Sequence, residues 1–264
     1  MNGLELENVS FAYEGSEAGV SSVRASFPSG QLVALTGPNG SGKSTLLKLM
    51  GRILSPHSGS IEFDGRPIEQ WDGREYARRV GYLPQDPDPV FAMRAIDVVV
   101  SGRAPYLGRF QRESDADYAA ADDALAQCDA THLAERGLDE MSGGERKRVF
   151  LARVLAGNPG LILLDEPLAS VDVSHVQRLV ELFRRIVSGT ASTIVFATHD
   201  LNWSSAYSDR MLVMSEGRLV LDATPEMVMT PEAMSKYFGF AAEVVTSPLS
   251  RRTWIIPQIR SNRS

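Results

Sequence analysis

A run of small residues near the N-terminus has the spacing of a phosphate-binding loop. It fits the pattern Gly-x-x-x-x-Gly-Lys-Ser, in which backbone N–H groups surround phosphate oxygens and the following helix directs its positive end at them. Lys43 is expected to reach the terminal phosphates of a nucleotide, and Ser44 to ligate magnesium. The alternative is a glycine-rich surface turn that matches the pattern by chance. The loop consists of Gly37, Pro38, Asn39, Gly40, Ser41, Gly42, Lys43, Ser44 and Thr45.

Two carboxylates follow an apolar run in the second half of the chain. Residues 161–164 predict a parallel strand buried on both faces, so Asp165 should emerge at the carboxyl edge of the sheet, where such sheets bind ligands. Asp165 is expected to hold magnesium through water. Glu166 cannot duplicate that role because side chains alternate along a strand, and it is expected to be the general base or to position the attacking water. Alternatively, Glu166 and Pro167 only end the strand with a solvated acid.

A third element, Ser142-Gly143-Gly144-Glu145, precedes that strand and opens a predicted helix. Ser-x-x-Glu is the sequence of a capping box, in which each side chain bonds the backbone N–H of the other residue. A serine hydroxyl, two glycine amides and a helix dipole would also make a second phosphate site. A capping box does not require paired glycines, so both interpretations stay open at this point.

Predicted secondary structure places these residues at strand and helix ends. Residues 31–36 predict a buried strand that enters the loop, and a helix should run from Lys43 to Met50. Further strands are expected at 80–84 and 193–197, with an antiparallel layer built from the N-terminal 30 residues and 61–65. Residues 86–158 lack strong strand signals, and 114–128 predict an amphipathic helix. Its apolar stripe would consist of Tyr118, Ala121, Leu125 and Cys128.

The set of motifs and their order resemble the ATP-binding cassette family, the motor subunits of membrane transporters. This resemblance implies an α/β P-loop NTPase fold with a RecA-like parallel-sheet core, an N-terminal antiparallel β layer and an inserted helical lobe. The cassette would span residues 1–240, with its lobe at about 86–158, and residues 241–264 would form a short C-terminal extension. The implied ligands are ATP and Mg²⁺.

The resemblance also assigns roles to four further residues. Gln85 would contact magnesium and the attacking water, and His199 would contact the γ-phosphate. Tyr13 would stack on adenine, and Asp172 would end a loop that crosses between subunits. In the family, the turn that corresponds to Ser142, Gly143 and Gly144 closes over the ATP of a second subunit, which implies a head-to-tail dimer. Two residues depart from the usual pattern: Met141 replaces leucine and Glu145 replaces glutamine.

Composition agrees with a cassette that works beside a separate membrane protein. The chain has 264 residues, a net charge of −6 and one cysteine, so bulk affinity for nucleic acid and an internal disulfide are not expected. Neither a secretory signal nor a membrane-spanning run is recognisable. The implied location is the cytoplasmic face of the cell membrane, bound to a permease that an extracytoplasmic binding protein serves. The basic cluster 146–148 and His57, His132 and His175 are interpreted as solvated surface or turn residues.

The segment 101–110, Ser-Gly-Arg-Ala-Pro-Tyr-Leu-Gly-Arg-Phe, and the tail 245–257 resemble ATPases of importers for ferric siderophores, haem or cobalamin. Gly-Arg-Ala-Pro-Tyr could instead be a turn between two helices. An exporter ATPase with a separate permease is the main alternative function. A soluble non-transport cassette is a weaker one, because no coiled coil interrupts the site and no second loop occurs. A P-loop kinase or GTPase would leave the Ser-Gly-Gly turn and His199 without a role.

Overall fold

The structure, a computed structural model, describes residues 3–16, 18–87, 93–169, 171, 173–248 and 252–258. Elements are numbered in chain order. The strands are β1 (Leu4–Ala12), β2 (Gly19–Phe27), β3 (Leu32–Thr36), β4 (Ser58–Phe63), β5 (Arg66–Pro67), β6 (Val80–Leu83), β7 (Leu161–Asp165), β8 (Thr193–Ala197), β9 (Arg210–Ser215), β10 (Arg218–Ala223), β11 (Ala242–Thr246) and β12 (Thr253–Pro257). The helices used below are α1 (Lys43–Met50), α2 (Gly73–Arg79), α3 (Ala95–Val100), α4 (Asp115–Gln127), α5 (Gly143–Ala156), α6 (Val173–Thr190) and α7 (Leu201–Tyr207).

The centre of the fold is a six-stranded sheet with the order β10-β9-β3-β8-β7-β6. Its strands are parallel except for β10, which pairs antiparallel with β9 at one edge. β3, β7 and β8 are buried along their whole length, as the uninterrupted apolar runs in the sequence predicted. Their carboxyl ends therefore meet at one edge of the sheet, where the phosphate loop follows β3, Glu166 follows β7, and the segment with His199 follows β8.

A second, antiparallel sheet has the order β2-β1-β4-β5, which confirms the predicted N-terminal layer. Within β1 the buried positions shift phase after Leu6, so that Val9 rather than residue 8 points inward. The cause is a bulge: Asn8 has a φ of 51°, and the register with β2 shifts between Leu6 and Val9. A Cβ at Gly59 of β4 would lie 2.4 Å from the Asn8 carbonyl oxygen, so the facing strand needs glycine there.

Two apolar clusters pack on opposite faces of the central sheet. On β7, Ile162 and Leu164 face one cluster while Leu161 and Leu163 face the other, as strand alternation requires. One cluster joins the sheet to α1 and the antiparallel layer. The other joins it to α3, α4, α5 and α6, so the helical lobe and the sheet share one continuous core.

The helical lobe has no named strand among its described residues, which confirms the sequence prediction for 86–158 outside 88–92. Its α4 matches the predicted helix, with Ser114 and Asp117 forming a capping box. Ala121, Leu125 and Cys128 are buried as expected, but Tyr118 is 38% exposed and lies at the edge of the apolar stripe.

The segment Ser101–Tyr106 is a 3₁₀ helix that continues directly from α3, rather than an open turn between two helices. Arg103 is its central residue: Nε donates to Asp117 Oδ1 at 3.0 Å and Nη1 donates to the Ala156 carbonyl at 3.1 Å. The Arg103 guanidinium also lies 3.9 Å from the centre of the Tyr106 ring. This segment thus ties α4 to the end of α5, which gives the Gly-Arg-x-Pro-aromatic pattern a structural reason inside the lobe.

The strands β11 and β12 form a separate two-stranded hairpin after the central sheet, within the segment 241–264. Among the described residues, no helix is both long and apolar enough to cross a lipid bilayer.

Candidate functional site

The phosphate loop has the backbone shape that its glycines predict. Gly37, Gly40 and Gly42 have φ values of 141°, 76° and 99°, a region that other residues rarely adopt. A Cβ at Gly37 would lie 2.1 Å from the Met214 carbonyl oxygen of β9, so this position also lacks space for a side chain. The loop is therefore a preformed cradle at the start of α1.

Lys43 lies at the centre of this cradle. Its Nζ donates hydrogen bonds to the carbonyl oxygens of Gly37 at 2.8 Å and Pro38 at 2.9 Å. Burial lowers the pKa of Lys43 from its usual value, while the nearby carboxylates of Glu166 and Asp165 oppose that shift. A cation held over the loop by two neutral carbonyls can exchange them for phosphate oxygens, which are stronger partners.

Ser44 and Asp165 form the oxygen pair expected of a magnesium site. Ser44 Oγ donates to Asp165 Oδ1 at 3.0 Å, and Asp165 is only 3% exposed. Burial raises the pKa of Asp165, and the hydrogen bond from Ser44 opposes the shift. No cluster of three or more His, Cys, Asp or Glu side chains suited to a metal occurs in the described part of the chain. A hydroxyl and one carboxylate nevertheless fit Mg²⁺, because that ion usually takes one or two carboxylates and completes its shell with phosphates and water.

Glu166 turns away from the line of β7. Its φ is 50°, in the left-handed region, and its N–H donates to the Ala197 carbonyl of β8 at 3.0 Å. The carboxylate is buried and faces His199, whose Nδ1 lies 3.1 Å from both carboxylate oxygens. His199 itself is mostly exposed, with 65% of its side chain accessible. The two consecutive acids thus have different partners, as expected, but the cause is this backbone turn rather than alternation along the strand.

Lys147 of α5 is a residue near the site that the sequence interpretation missed. Residues 146–148 were expected to be a solvated basic face, and this was wrong, because all three are half-buried. Lys147 Nζ donates to the carbonyls of Glu166 and Ala169, and Arg148 donates to the Asp129 carbonyl. Lys147 therefore holds the backbone turn that carries Glu166. The local sequence gave no sign that this lysine points back to the loop after β7.

These groups surround one cavity of about 880 Å³. It brings together most of the residues predicted from the sequence: Gly37, Pro38, Asn39, Gly40, Ser41, Gly42, Lys43, Ser44, Thr45, Gln85, Glu166 and His199. Buried Asp165 reaches it through Ser44. The Tyr13 ring stands beside the cavity rather than in its lining, with its hydroxyl 3.4 Å from Thr45 Oγ1. Asp172 lies outside the described residues.

The Ser142 turn does not line this cavity. Ser142 caps α5 in a capping box: Glu145 N–H donates to Ser142 Oγ at 3.3 Å, and the Glu145 carboxylate accepts from Ser142 N–H at 2.8 Å and Oγ at 2.7 Å. These bonds, together with Arg136 at 3.0 Å, lower the pKa of Glu145 to about 2. The negative charge that Glu145 introduces is therefore paired within the chain.

Gly143 and Gly144 have no steric reason of their own to be glycine. A Cβ built at either position would meet no atom of the described neighbours within 4 Å, and neither has a positive φ. Glycine is a poor helix former, so two at the start of α5 weaken the helix. Bare backbone is useful where another molecule must approach closely. The turn therefore leaves open space beside Gly143 and Gly144, which another molecule could approach.

Comparisons with known proteins agree with this geometry. The sequence model of the ABC transporter family matches residues 20–169. The hemin import ATP-binding protein HmuV of Nocardia farcinica is 40% identical over 229 residues, which cover 86% of this chain and 78% of that protein. The iron(3+)-hydroxamate import ATP-binding protein FhuC of Bacillus subtilis is 34% identical over 252 residues, covering 96% and 93%.

A solved structure has the same fold over nearly the whole chain. It is an inward-facing ABC transporter assigned to the metal-chelate type, with a TM-score of 0.84 and 28% identity, covering 98% of this chain and 99% of the other. The resemblance inferred from the motifs and the predicted P-loop NTPase fold are both confirmed. The chain belongs to the ABC transporter family, as an ATP-hydrolysing cassette.

Proposed function

We propose that the cavity binds ATP with Mg²⁺ and that each lining residue has a separate task. Lys43 and the loop amides bind the phosphates, and Ser44, Asp165 and Gln85 hold the ion, which neutralises phosphate charge when bound. Glu166 accepts a proton from the attacking water, and its hydrogen bond to His199 fixes the carboxylate direction. Support comes from the convergence of these side chains at the carboxyl edge of the sheet.

Two copies of the chain complete each site in this proposal. The single observation that carries it is the open space beside Gly143 and Gly144, where a Cβ would meet no described neighbour within 4 Å. Ser142 and these two glycines would present a hydroxyl, amides and the positive end of α5 to a phosphate. Because they do not line their own cavity, the phosphate they meet belongs to a second copy. A head-to-tail pair related by a two-fold axis satisfies both copies at once.

Bound ATP first holds the two copies together. Its γ-phosphate would bridge the loop of one copy and the turn of the other, and hydrolysis removes that bridge. Glu166 and His199 come into use only when the sites close, so hydrolysis and opening alternate.

The motion would be transmitted to a permease at a groove beside β6. This groove of about 480 Å³ is lined by Tyr82 and Pro84 from β6 and its exit, by Ala104 and Pro105 from the 3₁₀ helix, and by Phe150 of α5. Gln85 is the next residue after Pro84, so the groove and the nucleotide cavity meet at one short segment. We place the chain on the cytoplasmic face of the membrane, with an extracytoplasmic binding protein delivering cargo to the permease.

We infer import of an iron chelate, haem or cobalamin as the transported class. The relatives described above are named for hemin and iron(3+)-hydroxamate import. An ATPase for an exporter with a separate permease is the competing function. The direction of transport can be measured in liposomes that contain the cassette–permease complex with the cassette facing outward. An importer moves a chelate that is enclosed in the lumen to the outside when ATP is added outside. Accumulation of external chelate inside the lumen would establish the exporter instead.

Sharing of the site is tested by mixing two inactive variants. Lys43→Ala removes phosphate binding, and Ser142→Ala combined with Gly143→Val removes the turn. Each alone should be inactive, but a mixed dimer keeps one intact composite site. Random mixing should restore about a quarter of the wild-type rate per chain, because half of the dimers are mixed and each has one working site of two. Absence of rescue would contradict sharing between copies.

A further inference from the structure

The hydroxyl of Tyr82 on β6 is a buried polar group without a hydrogen-bond partner. Among the described residues, three buried side-chain polar atoms lack such a partner: Gln31 Oε1, Ser41 Oγ and Tyr82 OH. Ser41 lines the nucleotide cavity, where phosphate can serve it, but Tyr82 does not line that cavity. A buried hydroxyl that bonds nothing destabilises a fold, and native proteins rarely keep one without a use. Phenylalanine would fill the same space, so the hydroxyl itself needs an explanation.

The strand pairing places Tyr82 on the face of the sheet that carries the magnesium ligands. β6 runs parallel to β7, with Tyr82 opposite Leu163. Tyr82 and Leu163 both pack in the apolar cluster that joins the sheet to α1. Asp165 lies two residues beyond Leu163 and therefore on that same face, where Ser44 of α1 donates to it.

Electrostatic contacts place the Tyr82 hydroxyl close to the start of α1. Burial raises the pKa of Tyr82, and the carboxylate of Asp165 and the hydroxyl of Tyr13 raise it further. Those two groups are themselves held at consecutive residues of α1. Asp165 accepts from Ser44, and the Tyr13 hydroxyl lies 3.4 Å from Thr45 Oγ1. A hydroxyl within electrostatic reach of both groups therefore lies on the side of α1 where the ion is expected.

The chemistry of this corner suits a hydrated magnesium ion. A carboxylate offers about four acceptor positions, and Ser44 fills one of those of Asp165. A phenol can donate one hydrogen bond and accept another. Magnesium dehydrates reluctantly and keeps several waters, each of which donates hydrogen bonds. A water held between the ion and Tyr82 would thus satisfy the buried hydroxyl without any change in packing.

We propose that Tyr82 is a positioning residue of the magnesium site, whose hydroxyl forms a hydrogen bond with a water of the ion's shell beside Asp165. This inference rests on the function proposed above and adds to it a residue that holds the hydrated ion rather than the nucleotide. Tyr82 lies three residues before Gln85, so the strand that presents Gln85 to the ion carries a second polar group for it. Binding of the hydrated ion then offsets the cost of the unpartnered hydroxyl.

The test compares Tyr82→Phe with Tyr76→Phe in the full-length chain. Tyr76 is a matched control, because it packs in the same apolar cluster but its hydroxyl donates to the Met50 carbonyl at 2.5 Å. Thermal unfolding without nucleotide gives the first readout. Tyr82→Phe should leave Tm unchanged or raise it, whereas Tyr76→Phe should lower Tm by about 2–4 °C through loss of a buried hydrogen bond. A fall in Tm with Tyr82→Phe as large as that with Tyr76→Phe would reveal a structural partner for the hydroxyl and overturn the proposal.

Equilibrium binding of a non-hydrolysable ATP analogue gives the second readout, measured once with Mg²⁺ and once with EDTA. Tyr82→Phe should weaken binding about three- to tenfold with Mg²⁺, as expected for the loss of one hydrogen bond, and leave binding in EDTA unchanged. Tyr76→Phe should match the wild type in both conditions.

The outcomes separate this inference from the function on which it rests. Equal binding by Tyr82→Phe and the wild type with Mg²⁺, or an equal loss in both conditions, would overturn the role of Tyr82 and leave the proposed function standing. A wild-type chain that binds the analogue no better with Mg²⁺ than with EDTA would instead refute the magnesium site, and the inference would fail with it.

Discussion

Replacing Gly143 and Gly144 together by alanine should stabilise the chain and inactivate it. The described neighbours leave space for both methyl groups, so the fold meets no clash. Alanine is favoured over glycine by up to about 1 kcal/mol per residue inside a helix, and these first-turn positions should gain about half of that each. A total of about 1 kcal/mol corresponds to a rise of about 2–4 °C in Tm for a domain of this size.

The ATPase activity of this double variant should fall. The added methyl groups stand where the phosphate of a second copy must approach the amides of α5. Loss of one preorganised N–H donor costs about a hundredfold in rate, so ATP turnover should fall by at least that factor. Binding of ATP to the monomer should be unchanged, because the turn does not line its own cavity.

Thermal unfolding, equilibrium nucleotide binding and steady-state ATP hydrolysis measure the three quantities separately. The control is Gly102→Ala, because a Cβ there would lie 2.0 Å from the Arg153 carbonyl oxygen. Such overpacking should cost about 1–3 kcal/mol of stability. Wild-type turnover by the Gly143→Ala/Gly144→Ala double variant, or a Tm several degrees below wild type, would refute the proposal that the two glycines leave space for the phosphate of a second copy.

Three other changes test the surroundings of the site. Lys147→Met removes the hydrogen bonds that hold the Glu166 turn, so kcat should fall about tenfold with little change in KM for ATP. The control Arg148→Met, on the same helix, should leave kcat within roughly twofold. Equal effects of the two changes would assign Lys147 a purely structural role. The pKa of Glu145 is lowered in the folded chain to about 2, so the stability it contributes is complete above its unfolded pKa of about 4.5 and is lost as the pH falls towards 2. The Tm difference between wild type and Glu145→Gln should therefore shrink over that range, and a pH-independent difference would contradict the carboxylate's role. Burial raises the pKa of Cys128 to about 12, so maleimide should label this cysteine only at the rate of global unfolding; rapid labelling of native protein at pH 8 would contradict its burial.

Sequence reasoning was accurate where burial alone determines the pattern. The runs that became β3, β7 and β8 are apolar on both faces, and α1 begins at Lys43 as predicted from the loop. These elements fix the carboxyl edge of the sheet, so the convergence of the loop, Glu166 and His199 could be foreseen from their order alone. Their individual roles remain proposals.

Other features depend on contacts between residues far apart in the chain. The bulge at Asn8 needs glycine at the facing Gly59, a contact between strands that lie about 50 residues apart. Lys147 was misread because a long side chain on a helix can reach solvent or a loop, and only the packing of α5 beside β7 decides between them.

The shared core of the lobe and the sheet has a mechanical consequence. Phe150 of α5 and Ile162 of β7 belong to the same apolar cluster, so no solvent layer separates the two regions. Close-packed interiors resist compression, and a push applied where α5 borders the groove proposed for the permease is passed on as a displacement instead of being absorbed as local deformation. A peptide cut out as residues 93–158 would lose the part of this cluster that the sheet and α6 supply, and it should not fold alone.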